Sequence, residues 1–215
     1  TRTTKRQIRN ELSKVNERFP CKVSILLTQE EQKFFDKVIN DYGEKNSDGS
    51  SNLGLVQIKR MVSSSVYGYL NKREDLERDV DIYDEKPDAK VNALISEILQ
   101  PSKSNHMREI KKVIVFAVFT DTLRYLKIRL SRKGIKCALI DGSIEDRQAI
   151  IDKFKDDDEI RVLLSSEVGS EGLDMQFCDT IVNYDLPWNP MVVEQRIGRI
   201  DRIGQVADNI YIYNF

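Results

Sequence analysis

From Val113 onward the chain alternates short apolar runs with stretches of helical periodicity, and that rhythm admits few folds. Val113-Ile114-Val115-Phe116-Ala117-Val118-Phe119 is continuously apolar, as a strand must be when both of its faces are buried. Thr120 and Asp121 stand where they can cap a following helix, whose Leu123, Leu126 and Leu130 recur at helical spacing. Gly134 ends that helix. A strand Cys137–Ile140, the turn Asp141-Gly142-Ser143 and a helix over 144–154 come next. Strand Val162–Ser165 leads into a loop with Gly169 and Gly172, and strand Thr180–Asp185 follows. Asn189-Pro190 reads as a helix cap with proline in the first turn, opening a helix expected to reach Ile203. Residues 209–213 supply a last strand. Strands alternating with helices predict an α/β fold, a parallel sheet with right-handed crossovers and helices on both faces.

The first hundred residues read differently. Thr1–Asn16 is polar and expected to be helical, and Cys21–Leu27 reads as an extended strand. Thr28-Gln29-Glu30-Glu31 has the form of a capping box, starting a helix through Ile39. Gly43–Gly54 is rich in Gly, Ser and Asn and reads as a loop. Helices are expected over Leu55–Leu70 and Ala89–Leu99, on either side of the acidic stretch Glu74–Asp88. A polar boundary at Ser102–Glu109 divides the chain into a mainly helical N-terminal extension, 1–105, and an α/β lobe, 106–215. Lys59, Arg60, Lys72 and Arg73 offer a contact for nucleic acid, although composition favours a plain solvated face.

Composition removes several function classes. The net charge of -1 provides no global field for nucleic acid, so any such contact is local. No apolar run approaches the ~20 residues that cross a bilayer, and the polar start lacks a signal peptide's apolar core. Thr1 in place of an initiator Met suggests a piece of a longer protein. Cys21, Cys137 and Cys178 form no CxxC pair, which disfavours a disulfide framework or a metal site and fits a reducing, cytoplasmic location. The single histidine, His106, lies in a polar run, so Ser-His and Cys-His nucleophiles are not expected. No G-x-x-x-x-G-K-[ST] loop is present. Asp84-Glu85-Lys86-Pro87 follows no strand and reads as solvated acid rather than as a Mg²⁺-binding pair.

Chemistry concentrates in two places. On the helix after Asn189-Pro190, at about 100° per residue, Gln195, Arg199 and Arg202 fall within roughly 60° of each other. Val193, Ile197, Ile200 and Ile203 share another face that should seat on the sheet. Arginines three apart suit phosphate oxygens, and Gly198 beside them leaves room for a ligand or a facing backbone. The loop Ser166–Asp174 follows a parallel strand, where glycines such as Gly172 let backbone approach phosphate or sugar and Asp174 can accept from ribose hydroxyls. A plain basic face and a plain strand-to-helix turn are the bland alternatives.

These stretches resemble motifs V and VI of superfamily-two helicases. Asp185-Leu186-Pro187-Trp188-Asn189-Pro190 and the tail Arg202-Ile203-Gly204-Gln205 are similar to the Swi/Snf branch. Ser166–Gly172 and Glu194–Gln205 most resemble the bacterial RapA-like group, and Val113–Leu126 is similar to the motif IV region. The likeness is close over about 110–215 and loose before residue 100.

It implies the second, RecA-like lobe of an ATP-dependent translocase on nucleic acid, with double-stranded DNA the expected form. By the resemblance, Arg199 and Arg202 are arginine fingers toward ATP. Gln195, Gly172 and Asp174 attend the nucleotide. Thr120, Gly142, Ser143 and Ser166 face nucleic-acid phosphates, and Trp188 braces the lobe interface or touches the strand; a packed core tryptophan is its equally weighted alternative. Glu171 departs from the basic residue that many such loops carry. ATP's cradle and Mg²⁺ ligands are expected from a first RecA-like lobe outside this chain, so the chain by itself is not expected to hydrolyse ATP. The rival class is a non-catalytic RecA-like module that docks a protein target or nucleic acid.

Overall fold

The computed structural model describes residues 16–45, 52–70, 88–100 and 110–215. The first strand is β1 (Glu17–Lys22), followed by the helices α1 (Gln29–Lys45), α2 (Asn52–Ser64) and α3 (Val66–Leu70). Helix α4 (Ala89–Ala93) widens into a π-helical turn over Leu94–Leu99. Then follow β2 (Val113–Phe116), α5 (Thr120–Arg132), β3 (Lys136–Ile140), α6 (Arg147–Asp156), β4 (Ile160–Ser165), β5 (Thr180–Asn183), α7 (Pro190–Ile200) and β6 (Asn209–Asn214). The strands form one sheet in the order β1-β6-β5-β2-β4-β3, and every pairing is parallel.

Side-chain alternation explains why β2 had to be apolar throughout. Val113 and Val115 point to one face, where they pack with Leu123, Leu126 and Leu130 of α5 and with Val91 and Leu94 of the N-terminal helices. Ile114 and Phe116 point to the other, against Ile151 and Phe154 of α6 and Ile197 and Ile200 of α7. Each face thus has its own core, and helices cover both. No described helix is long and apolar enough to cross a membrane.

The N-terminal segment joins this body at several points. β1 extends the sheet along β6, in register from Glu17 on Asn209 to Lys22 on Asn214. The expected strand Cys21–Leu27 therefore lies earlier, because the row of β6 partners runs from 209 to 214. The capping box forms as expected. Thr28 Oγ1 accepts from the Glu31 amide at 3.2 Å, and Glu31 Oε2 accepts from the Thr28 amide at 2.7 Å. Glu31 also accepts from the Ala89 amide, tying α1 to α4. Asp88 caps α4 through Val91 N–H at 2.8 Å and accepts from Tyr125 Oη of α5 at 2.9 Å.

Several boundaries differ from expectation. α1 runs on through Lys45 and α2 opens at Asn52, so Gly43 and Gly54 are helical rather than loop. The helix expected over Leu55–Leu70 breaks at Ser65, whose Oγ accepts from Gly68 N–H and starts α3. α5 is preceded by Phe119 at its cap with no side-chain bond, so Thr120 and Asp121 lie inside its first turn. α6 starts at Arg147 because Asp146 caps it through Ala149 N–H at 3.0 Å. The expectations for 1–15, 46–51, 71–87 and 101–109, including His106, Lys72, Arg73 and the Asp84-Glu85 pair, lie outside the described residues.

Candidate functional site

In a parallel sheet the loops after the strands collect at the carboxyl edge. Thr120 follows β2, Gly142 and Ser143 follow β3, Ser166 follows β4 and Trp188 follows β5. Topology alone brings these five residues, scattered over the sequence, to one edge. Thr120 is partly exposed at the first position of α5. Gly142 and Ser143 are exposed, and Asp141 Oδ1 accepts from the Ser143 amide at 2.9 Å and from its hydroxyl at 2.5 Å. The Ser143 hydroxyl holds the Asp141 carboxyl below the usual carboxylate range. Ser166 is buried, and its Oγ accepts from Gly169 N–H at 3.0 Å. Trp188 is 75% exposed, which overturns the packed-core alternative.

Gly169 is favoured for a packing reason. A Cβ there would lie 2.6 Å from the carbonyl oxygen of Ile140, at the end of β3. The loop after β4 is thereby pressed onto the β3 turn, where Arg147 Nη1 also binds Val168 O at 2.8 Å. Gly172 has a different reason, a positive φ of 80°.

From there the loop runs beside α7. The Met175 amide donates to Arg199 O at 3.1 Å, and Asp174 Oδ1 lies 3.6 Å from Arg202 Nη1. Gly172, Asp174 and Arg202 are thus neighbours along one loop and one turn. Gln195 is exposed on the helix, and Arg199 is half-buried, its guanidinium with no hydrogen-bond or ion-pair partner among the described residues.

The helix ends sooner than its apolar pattern suggested. Asp201 is its C-cap, with its N–H on Ile197 O, and Arg202 N–H bonds Ile200 O. The chain then turns through Gly204 at a φ of 100°. Two expectations change. Ile203 is 72% exposed rather than seated on the sheet. Arg202 sits beyond the helix, so the two arginines are not a fork on one helical arc. Arg202 is instead held by its Nε on Gly198 O at 3.0 Å.

The pattern also hid one residue. Arg196 is buried, 1% exposed, between the two cores' strand ends. Its Nη1 donates to Asn183 Oδ1 at 2.9 Å and to Asp185 O at 3.0 Å, its Nε and Nη2 donate to Glu167 Oε2, and its guanidinium faces the Phe116 ring at 5.1 Å. One cation so joins the ends of β2, β4 and β5. The signal was available: Arg196 is three residues from Val193 and four from Ile200, on the apolar face.

Asp185 is a second residue the sequence did not single out. Its carboxylate accepts from Val118 N–H at 3.0 Å, Ser64 Oγ at 2.7 Å and Lys90 Nζ at 3.0 Å, and Ser64 bonds Thr122 at 2.8 Å. Lys90 lies over the Tyr184 ring at 4.2 Å. This cluster fastens α2 and α4 to the carboxyl edge. It floors a cleft of about 430 Å³ whose walls include Arg60, Phe119, Leu186, Trp188 and Phe215. Among the described residues no group of three or more His, Cys, Asp or Glu is placed to hold a metal ion.

A six-stranded parallel sheet with helices on both faces, its motif loops at the carboxyl edge and an arginine-bearing helix beside them, is a RecA-like lobe of the helicase type. The chain belongs to the helicase conserved C-terminal domain family, whose model matches residues 89–204. It is 34% identical over 203 residues to a Bacillus subtilis (strain 168) protein described as the uncharacterized ATP-dependent helicase YqhH. That match covers 89% of this chain and 36% of the relative, so the chain spans about a third of that protein's length. In fold it is similar to the C-terminal part of the Fun30 ATPase domain, with a TM-score of 0.71, 19% identity and coverage of 93% and 84% of the two chains. It is also similar to the Sulfolobus solfataricus SWI2/SNF2 ATPase core solved in complex with dsDNA, with a TM-score of 0.67, 16% identity and coverage of 92% and 41%. The fold is that of a Swi/Snf-type C-terminal lobe.

Proposed function

We propose that this chain is the second lobe of an ATP-driven translocase on double-stranded DNA, and that Arg199 and Arg202 act on the phosphates of ATP held mainly by another lobe. The observation that carries this reading is the contrast along α7. Arg196 is buried and fully engaged, whereas the guanidinium of Arg199, three residues on, has no partner among the described residues. A guanidinium kept half-buried without a counter-charge is poised for an anion from outside. Besides its Nε bond to Gly198 O, Arg202 has a 3.6 Å approach to the half-exposed Asp174, which an incoming phosphate would outcompete. Gly172 and Asp174 line the same turn and would meet the ribose, with Gln195 on the exposed flank.

In this reading the carboxyl edge carries the DNA. Thr120, Gly142 and Ser143 offer hydroxyl and amide donors to the phosphate backbone, which positions a duplex without reading its sequence. Ser166 orders the loop between the two regions, and the exposed Trp188 indole meets the strand or the facing lobe. ATP closes the lobes, and repeated closing steps them along the duplex. Mg²⁺ and the triphosphate cradle come from the other lobe, so the isolated chain has no hydrolysis of its own. The cellular setting is cytoplasmic.

The test is DNA-stimulated ATP hydrolysis by the full-length protein carrying Arg199→Ala. Arginine fingers contribute about 10³–10⁵ in rate in related phosphoryl transfer, so a deep loss is expected. An unchanged rate returns the chain to the class of docking modules.

A further inference from the structure

Arg18 lies on β1, at the outer edge of the sheet and 183 positions from the turn that ends α7. Its Nε and Nη2 approach Asp201 Oδ2 at 2.7 and 2.6 Å, and its Nη1 donates to Glu194 Oε2 at 2.9 Å. Glu194 and Asp201 are seven residues apart, two helical turns on one stripe. One guanidinium therefore grips the arginine-bearing helix near its middle and at its end.

Asp201 is where that grip matters. It directly precedes Arg202 and is the C-cap of α7, with its side chain 5% exposed. A carboxylate in that position meets the negative end of the helix dipole and has little water, so it needs a cation. Its backbone is rigidly linked to the functional arginines. Asp201 N–H bonds Ile197 O at 2.8 Å, and Arg202 Nε returns to Gly198 O at 3.0 Å. Any drift of Asp201 is passed to Arg202 and to the last turn that carries Arg199.

We propose that Arg18 is a positioning residue: by holding Asp201 and Glu194 it sets the angle at which Arg199 and Arg202 are presented to the nucleotide. This rests on the arginine reading above. It also gives the edge strand β1, from the segment before the helical elements, a role in the reaction. The pair with the 54%-exposed Glu194 contributes little to global stability, whereas the 5%-exposed Asp201 needs a counter-charge, which Arg18→Lys keeps and Arg18→Ala removes. Loss of the grip should appear in the rate.

The experiment uses the full-length protein with DNA present, comparing Arg18→Ala, Arg18→Lys and Arg199→Ala. Arg18→Ala is expected to lower kcat for ATP about tenfold with KM for ATP within about twofold, because positioned groups lose rate when they shift by a fraction of an ångström. Arg18→Lys, which keeps a counter-charge for Asp201 but not the two-carboxylate grip, should melt close to the parent and recover only part of that loss. The proposal is overturned if Arg18→Ala keeps its kcat while Arg199→Ala loses it. It is equally overturned if the alanine and lysine variants fall together with a matching drop in melting temperature, which marks a structural role. A normal rate in Arg199→Ala removes the arginine reading itself, and the clamp with it.

Discussion

Arg196 of α7 donates from Nε and Nη2 to a single oxygen of Glu167, at 3.1 and 2.8 Å, and so fastens the loop after β4 to the helix that carries Arg199. The guanidinium is 1% exposed while Glu167 is 41% exposed, so the pair is lopsided. Most of the cost of a change falls on the arginine side. Arg196→Ala strands Asn183 and the Asp185 carbonyl and leaves a cavity beneath Phe116. A loss of about 3–5 kcal/mol in urea unfolding is expected. Glu167→Gln keeps an acceptor but leaves the buried guanidinium without its counter-charge, so a smaller loss of about 1–3 kcal/mol is expected.

Arg199→Ala supplies the contrast on the same helix. With no partner for its guanidinium among the described residues, its removal should leave unfolding within about 0.5 kcal/mol of the parent. Equilibrium denaturation of this chain separates it cleanly from Arg196→Ala. A large destabilisation by Arg199→Ala would mean that the residue is structural.

Two glycines should respond in opposite directions. Gly169→Ala places a methyl group 2.6 Å from the Ile140 carbonyl oxygen and is expected to cost about 1–3 kcal/mol. Gly198→Ala enters open space within a helix and should stabilise by about 0.5–1 kcal/mol. If Gly198→Ala melts higher yet lowers ATP hydrolysis in the full-length protein, the open space is used by a facing surface.

Asp185→Ala is expected to loosen the joint between the N-terminal helices and the sheet. Three donors lose their acceptor at once, the Lys90 ammonium, the Ser64 hydroxyl and the Val118 amide. A destabilisation of about 3 kcal/mol should follow, with faster amide exchange in α2 and α4 than in β2. Uniform exchange across both parts would contradict the joint.

Asp141 gives a prediction in pH. Its carboxyl is held low by Ser143, so its contribution to stability is complete above the unfolded carboxylate value of about 3.9 and is lost as pH falls through the lower folded value. Ser143→Ala should raise the Asp141 titration point, read from its side-chain carbonyl resonance, and make acid unfolding begin at higher pH. An unmoved titration would show that the Ser143 contact is not its cause.

Much of this protein was determined along the chain. Local composition set β2, because a strand buried on both faces tolerates no polar residue from Val113 to Phe116. It set the Thr28–Glu31 box, the Asn189 cap and the Gly134 stop, since these depend on a few neighbouring dihedrals and donors. It also marked the loops that carry Thr120, Ser143, Ser166 and Trp188, which parallel topology then gathers at one edge.

What only the tertiary structure decided depends on partners far away in sequence. The end of α7 at Ile200 was hidden because Ile203 keeps the apolar spacing, while the chain leaves the helix at Asp201, whose carboxylate pairs with the distant Arg18. Arg196 looked like one more basic residue beside a functional arc. Its burial follows from Glu167, Asn183 and the Asp185 carbonyl, which reach it only once β4 and β5 flank β2. The sequence states which residues are charged. Whether a charge is buried and paired, as at Arg196, or left open to an outside anion, as at Arg199, is set by the counter-charges that folding brings within reach, and those act through space rather than along the chain.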